Sequence, residues 1–330
     1  MFYPLVFEPR FKERVWGGRR LETLYGKRLL SGRPVGESWE ITDRPEDVSV
    51  IANGSWAGRD LRWLMEAHRE ALLGNLAPAA GDRFPWLVKI LDARELLSVQ
   101  VHPPAEVARR LGGEPKTELW YITEAERGAE IYTGLRRGVT REEFERRLRE
   151  GTVADCIHRF AVRAGDAVFL PSGRIHALGA GLVLFEIQQN SDTTYRVYDW
   201  GRRGLDGRPR PLHVPEALAS VDFQDFEPGP LPERWEARDG GRRRPLVEHE
   251  LFCVEVWRWN RSTQLEWGGG GCRVLGCVAG RLVLEGGNEA VDLRPGRFCL
   301  LPAALESVRL AVDSAAEVLV VLPGVPGKGA

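Results

Sequence analysis

The stretch Gly165–His176, GDAVFLPSGRIH, and the stretch Gly296–Ser307, GRFCLLPAALES, carry the same turn, strand and turn at the same internal separations. A repeat of this kind restricts the chain to a duplicated architecture, in which each copy buries an equivalent face. Short β segments surround both copies: WLVKIL, LSVQV, ELWYIT, DAVFLP, LVLFEIQQ and TTYRVYD in the first series, then FCVEVWRW, CRVLGCV, RLVLEG, AVDL, RFCLLP and AEVLVVL in the second. Gly, Pro and Asp punctuate them, which predicts antiparallel sandwiches or barrels in place of a parallel α/β sheet. At 330 residues the chain exceeds the size at which one core stops growing, so two domains or one compound domain are expected.

Helices interrupt the strands in few places. DLRWLMEAHREALLG sets Leu61, Leu64, Met65, Leu72 and Leu73 on one helical stripe, with Asp60 as N-cap, Gly74 as stop and His68 facing solvent. VTREEFERRLREG has Thr140 and Glu143 in capping-box spacing, Gly151 as terminator and a solvated Arg/Glu face. Between the two strand series lies EARDGGRRRP, whose Arg242–Arg244 run reads as a solvated linker.

Composition narrows the function. A hydrophobic content of 43% with 28% charged residues is that of a soluble globular protein. The net charge of -1 gives no global field for nucleic acid or an anionic membrane, so neither is expected as a partner. No apolar run approaches about 18 residues, which predicts no membrane span, and MFYPLVFEPRFKER has none of the order of a secretory signal. The five cysteines are an odd number without CxxC pairs, so reduced thiols and a cytoplasmic location are expected. The alternative, a Cys272–Cys277 disulfide or thiolate site, has no second pair to complete it.

The stretch LLSVQVHPP poses the chemical question. Strand alternation sends the Gln100 and His102 side chains off one face, either as a hydrogen-bonded polar pair at a sheet edge or as half of a metal site. The repeated Gly-Pro unit resembles the second conserved motif of the cupin fold, a small double-sheet barrel. That resemblance implies a mainly β protein of two tandem cupin (jelly-roll-like) β-barrels with a few helices. The expected division is a catalytic domain over 1–240 with helical insertions and a second cupin over 241–330, without metal ligands because Ser307 stands where His176 stands in the first. In cupins the ligands come from two inward-facing stretches, here Gln100 and His102, Glu118, and His176. Two His, one carboxylate and an amide suit zinc best, and also other divalent ions, with a position left for water or substrate.

RVWGG, GESWEI, LLSVQVHPP, KTELWYI, PSGRIHALGAG and FEIQQNSDTTYRVYDWGR together resemble the type I mannose-6-phosphate isomerases, in particular their short bacterial form. The resemblance implies an aldose–ketose isomerase acting on a phosphosugar through an enediol(ate), with Zn2+ on Gln100, His102, Glu118 and His176. It implies catalytic roles for Arg196, Lys116 and Glu186, and substrate contacts from Ser98, Lys116, Asp192 and Trp16. An inward carboxylate, Asp192 or Glu186, is expected to hold the Arg196 guanidinium. The chain departs from the family pattern at Pro115, where some members have His, and at Leu178, where the family has Tyr; the oligomeric state is left open. His158, His213 and His249 match no site motif. An Fe(II) cupin oxygenase using His102, Glu118 and His176, or a non-catalytic sugar-binding cupin, are the alternatives, separable by bound metal and turnover.

Overall fold

The computed structural model describes residues 1–30, 32–78, 80–266 and 270–328. Among the described residues three large antiparallel sheets are stacked, beside a small ribbon of Asp43–Arg44 and Asp47–Val48, and each interface is one of the apolar layers that the strand pattern demands. The first sheet has six strands in the order Arg10–Gly18, Val35–Ile41, Trp86–Ala93, Leu182–Gln189, Glu118–Ala125 and Ala167–Leu170. The second has five: Tyr195–Tyr198, Val99–Val101, His176–Leu178, Glu130–Leu135 and Ile157–Ala161. The third has eight, formed by strands from Glu236 to Pro323. The sheets are jelly-roll-like and open, not closed barrels.

The six-stranded sheet is covered on both faces, which is why its strands read as nearly unbroken apolar runs. Val88, Ile90, Leu119, Tyr121, Phe185 and Ile187 face Phe252, Val254, Val274 and Leu319 of the third sheet. Their neighbours of opposite parity, Leu91, Trp120, Ile122, Leu182 and Leu184, face Ile131 and Leu178 of the five-stranded sheet. Period-2 alternation therefore assigns every residue of these strands to one of two layers. On its outer side the five-stranded sheet packs Val99, Val101 and Ala177 against Phe144 and Ala217 of the helices Arg141–Glu150 and Val214–Ser220.

Several local expectations need correction. The stripe from Leu61 to Leu73 forms two helices, Leu61–Ala67 and Arg69–Leu73, broken at His68. His68 is half-buried, stacked on Trp56 at 5.4 Å and packed edge-on against Phe2 and Trp63, so it serves an aromatic cluster and does not face solvent. Asp60 does cap the first helix, accepting from the Trp63 N–H at 2.8 Å. At the other helix Thr140 caps Glu143 N–H, and the Glu143 carboxylate accepts from Arg147. CRVLGCV and RLVLEG are one strand, Arg273–Gly286, kept continuous by bulges around Gly280, whose φ of 77° and close approach to Ala315 admit no side chain.

Arg242–Arg244 is not a linker. It lies in the strand Gly241–Glu248, paired with Glu236–Arg238 through a tight turn. Alternation turns Arg244 inward, where it is 2% exposed and donates to the carbonyls of Gly165 (2.6 Å), Leu231 (3.2 Å) and Pro232 (3.3 Å). This fork ties the third sheet to the turn that opens the first repeat. Arg244→Ala leaves three carbonyls short of a donor and should cost about 2–4 kcal/mol, with Arg244→Lys recovering only part of it. Urea unfolding midpoints of the two variants check this, and unchanged midpoints would contradict it.

Candidate metal centre

The centre forms where the two layers of the first repeat face each other. Glu118 opens its strand in the six-stranded sheet, opposite Leu170 and Gln188 in the ladder. Across from it, His176 and Arg196 both pair with Gln100, so three functional positions share one row of the five-stranded sheet. His102 follows directly, where Pro103 and Pro104 end the strand. Among the described residues, one group of three His, Cys, Asp or Glu side chains brings its ligand atoms within 4.8 Å of one another: His102, Glu118 and His176.

The hydrogen bonds point both imidazoles inward. His102 Nδ1 faces the Thr193 carbonyl at 3.0 Å and His176 Nδ1 faces the Arg174 carbonyl at 2.9 Å. A carbonyl only accepts, so each Nδ1 carries the proton and each Nε2 keeps its lone pair. Those Nε2 atoms lie 3.5 Å from the two oxygens of Glu118. His102 Nε2 and Glu118 Oε1 are buried without a hydrogen-bond partner, the condition of atoms that await an ion. Gln100 Nε2 stands 3.3 Å from His176 Nε2, and a half-turn of the amide presents its oxygen as a fourth donor.

Burial, and then the nearby Lys116 cation, pull the His102 pKa down to about 4. Burial likewise lowers that of His176. For Glu118 burial alone works the other way, but Lys116 at 2.7 Å holds it well below the carboxylate range. Lys116 is raised, because Glu118 and Glu186 outweigh its own desolvation. The donor set is thus two neutral imidazoles and an ionised carboxylate, which is what zinc requires.

Beside the centre opens a cleft of about 570 Å³, lined in part by Trp16, Ser98, Gln100, Lys116, Glu186, Asp192 and Arg196. Every site residue expected from the sequence is therefore in the centre or on the cleft wall. Glu186 accepts from Trp120 Nε1 at 3.0 Å and pairs with Lys89 at 2.9 Å. Asp192 is exposed at the rim. Arg196 is not held by a carboxylate: its Nη1 donates to the Pro211 carbonyl at 2.7 Å, and its Nε has no hydrogen-bond partner. Of the acids, Glu186 is paired with Lys89, and Asp199, whose charge Arg196 feels, is already paired with Arg202 (2.7 Å) and Arg210 (2.5 Å). Burial and then Arg210 lower the pKa of Arg196.

Sequence reasoning missed Lys89, Glu37, Arg14 and Arg210 on the same wall. Lys89 had a signal: a lysine within WLVKIL, of opposite parity to Val88 and Ile90, faces the inner layer. Glu37 accepts from Arg14 (2.8 Å) and from Trp39 Nε1 (2.7 Å). Burial raises Glu37, and Arg14 and Lys89 overcome that to bring its pKa to about 2. All five cysteines are free and buried. Among the described residues no helix is long and apolar enough to cross a membrane.

Fold and centre together define a cupin-type metal protein with a charged substrate cleft. Residues 5–114 match the family model described as phosphomannose isomerase type I, catalytic domain. The mannose-6-phosphate isomerase of Streptococcus mutans is 36% identical over 308 residues, 93% of this chain and 95% of that protein. The crystal structure of the Bacillus subtilis mannose 6-phosphate isomerase superposes with a TM-score of 0.87 at 32% identity, covering 97% of this chain and 99% of that one. A zinc-bound mannose 6-phosphate isomerase has the same fold, with a TM-score of 0.77 at 17% identity over 98% of this chain and all 100% of that one. The chain belongs to the type I phosphomannose isomerase family.

Two predictions follow from the centre. His176→Ala should lose most bound metal, whereas Ser307→Ala should keep it, as read by metal content after dialysis; equal loss in both would contradict a single centre. The second concerns acid. The folded pKa of His102 lies below the ordinary 6.5, so the unfolded chain takes up the proton first. The metal-free protein should lose stability as pH falls from 6.5 to about 4, and again from 4.5 to about 2 as Glu37 is protonated. Urea unfolding of wild type and His102→Asn across this range should show a shallower first decline in the variant.

Proposed function

We propose that the cleft beside His102, Glu118 and His176 interconverts mannose 6-phosphate and fructose 6-phosphate, with catalysis in residues 1–240 and a ligand-free second cupin in 241–330. The observation that carries this is the pairing of two buried, unpartnered donor atoms, His102 Nε2 and Glu118 Oε1, with an adjoining cleft lined by a buried lysine and a carboxylate-free arginine. The reaction moves a proton between C1 and C2 and develops negative charge on a substrate oxygen. Zinc on His102, Glu118, His176 and Gln100 would supply Lewis-acid polarisation of the sugar oxygens.

The protein's own groups supply the rest. Lys116, 2.7 Å from Glu118 and 3.9 Å from Glu186, is kept charged and donates to the oxygen that gains charge. Glu186, reaching into the same cleft, is the group suited to carry the proton. Arg196 has guanidinium donors to spare, which favours an enediolate over a neutral sugar and so lowers the barrier. Ser98 lies two residues along the strand from Gln100, roughly 7 Å, a span that suits the substrate phosphate, and Arg210 adds positive charge to that wall. Trp16 and Asp192 complete the wall at its floor and rim.

The test is a coupled assay of mannose 6-phosphate conversion before and after chelation, with zinc restored. Activity that ends on chelation and returns with zinc supports the isomerase; no conversion by the zinc-loaded protein overturns it, and oxygen uptake with Fe(II) would favour an oxygenase. Arg196→Ala should reduce turnover at least about 100-fold while metal content stays, and Arg196→Lys should recover part, since a point charge lacks the planar fork. Normal turnover in a zinc-holding Arg196→Ala would remove Arg196 from the mechanism.

A further inference from the structure

The turn Pro171–His176 delivers one metal-facing imidazole, and its geometry is fixed from outside the centre. The Arg174 carbonyl receives the His176 Nδ1 proton at 2.9 Å, so the direction of that carbonyl sets the ring. Arg174 itself reaches the opposite way. Its Nε and Nη2 donate to the two oxygens of Asp225 at 2.8 and 2.7 Å, and its Nη1 donates to the Phe169 carbonyl at 2.8 Å. The pair is half-buried at 18% and 16% side-chain exposure, away from bulk screening. Adjacent backbone bonds lock the same turn: Gly173 N–H donates to the His102 carbonyl at 2.8 Å, and Asp222 N–H donates to the Gly173 carbonyl at 2.8 Å.

We propose that Arg174 and Asp225 are positioning residues for the metal, holding the carbonyl that orients His176. The segment after the helix Val214–Ser220 thereby controls ion affinity without contributing a ligand. A two-pronged guanidinium–carboxylate pair suits this task because it fixes angle as well as distance. The inference rests on reading His102, Glu118 and His176 as the metal centre.

Direction of effect separates positioning from simple charge. A guanidinium near a cation site repels the cation, so its removal by charge alone would tighten binding. Loss of an orienting partner weakens it, by about 10- to 100-fold for groups behind a metal ligand.

The experiment measures zinc affinity of the purified full chain by competition with a chromogenic chelator, and activity as a function of free zinc. Arg174→Ala should weaken zinc about 10- to 100-fold, with Arg174→Lys intermediate, and the zinc concentration for half activity should rise in step while turnover at saturating zinc returns. Arg244→Ala, which breaks a comparable buried fork remote from the histidines, should lower stability and leave zinc affinity unchanged. Should Arg174→Ala fail to fold, Arg174→Gln keeps most of the side-chain volume, removes the positive charge and the two-pronged pair, and should still weaken zinc. Unchanged or tighter zinc in the folded Arg174 variants overturns the proposal. A wild-type chain that binds no zinc overturns the metal reading beneath it, and is distinguishable for that reason.

Discussion

Glu118 has no exposed surface, and an ionised carboxylate so placed is tolerated only when its surroundings replace water. Lys116 at 2.7 Å makes part of that replacement, and a zinc ion between the carboxylate and the two imidazoles 3.5 Å away would complete it, so that each partner depends on a different part of the fold. Lys116 comes from the loop that enters the same strand, His176 from the Gly-Pro turn, and His102 from the strand that two prolines terminate. The requirement to compensate one charge therefore holds two sheets in register.

The layer arrangement makes such a centre possible. Because the third sheet seals the back of the six-stranded sheet, its inner face can carry Lys89, Glu118 and Glu186 without forfeiting the apolar burial that stabilises it. Glu186 and Lys89 pair across adjacent strands, and Trp120 donates to the same carboxylate from the other side. These contacts stiffen the wall on which a substrate would be oriented, which favours precise positioning over adaptability. The second repeat shows the opposite outcome. Its interior is filled by Leu275, Cys277, Leu284, Leu301, Leu310 and Val320, and in the sequence repeat Ser307 stands at the position that matches His176.

What could be read in advance followed from local rules. Alternation in LLSVQVHPP and LVLFEIQQ, caps at Asp60 and Thr140, and the Gly-Pro turn each express steric or hydrogen-bonding preferences of a few neighbouring residues. Arg242–Arg244 could not be read this way, since three consecutive charges look solvated until a partner sheet supplies Gly165, Leu231 and Pro232 carbonyls. His68 failed for the same reason: the aromatic cage of Phe2, Trp56 and Trp63 around it is assembled from separate segments.

The sequence by itself determined the duplicated β architecture and the three residues His102, Glu118 and His176 that meet at the centre, because each is written in residue type and spacing along one strand or turn. Only the tertiary structure decided which acid serves which base. Arg196 takes a carbonyl because Asp199 is claimed by Arg202 and Arg210, Lys89 joins the cleft through Glu186, and Arg174 reaches Asp225 across the turn that carries His176. Charges pair by distance in space, and that distance is set by how the sheets stack, a quantity that no window of sequence contains.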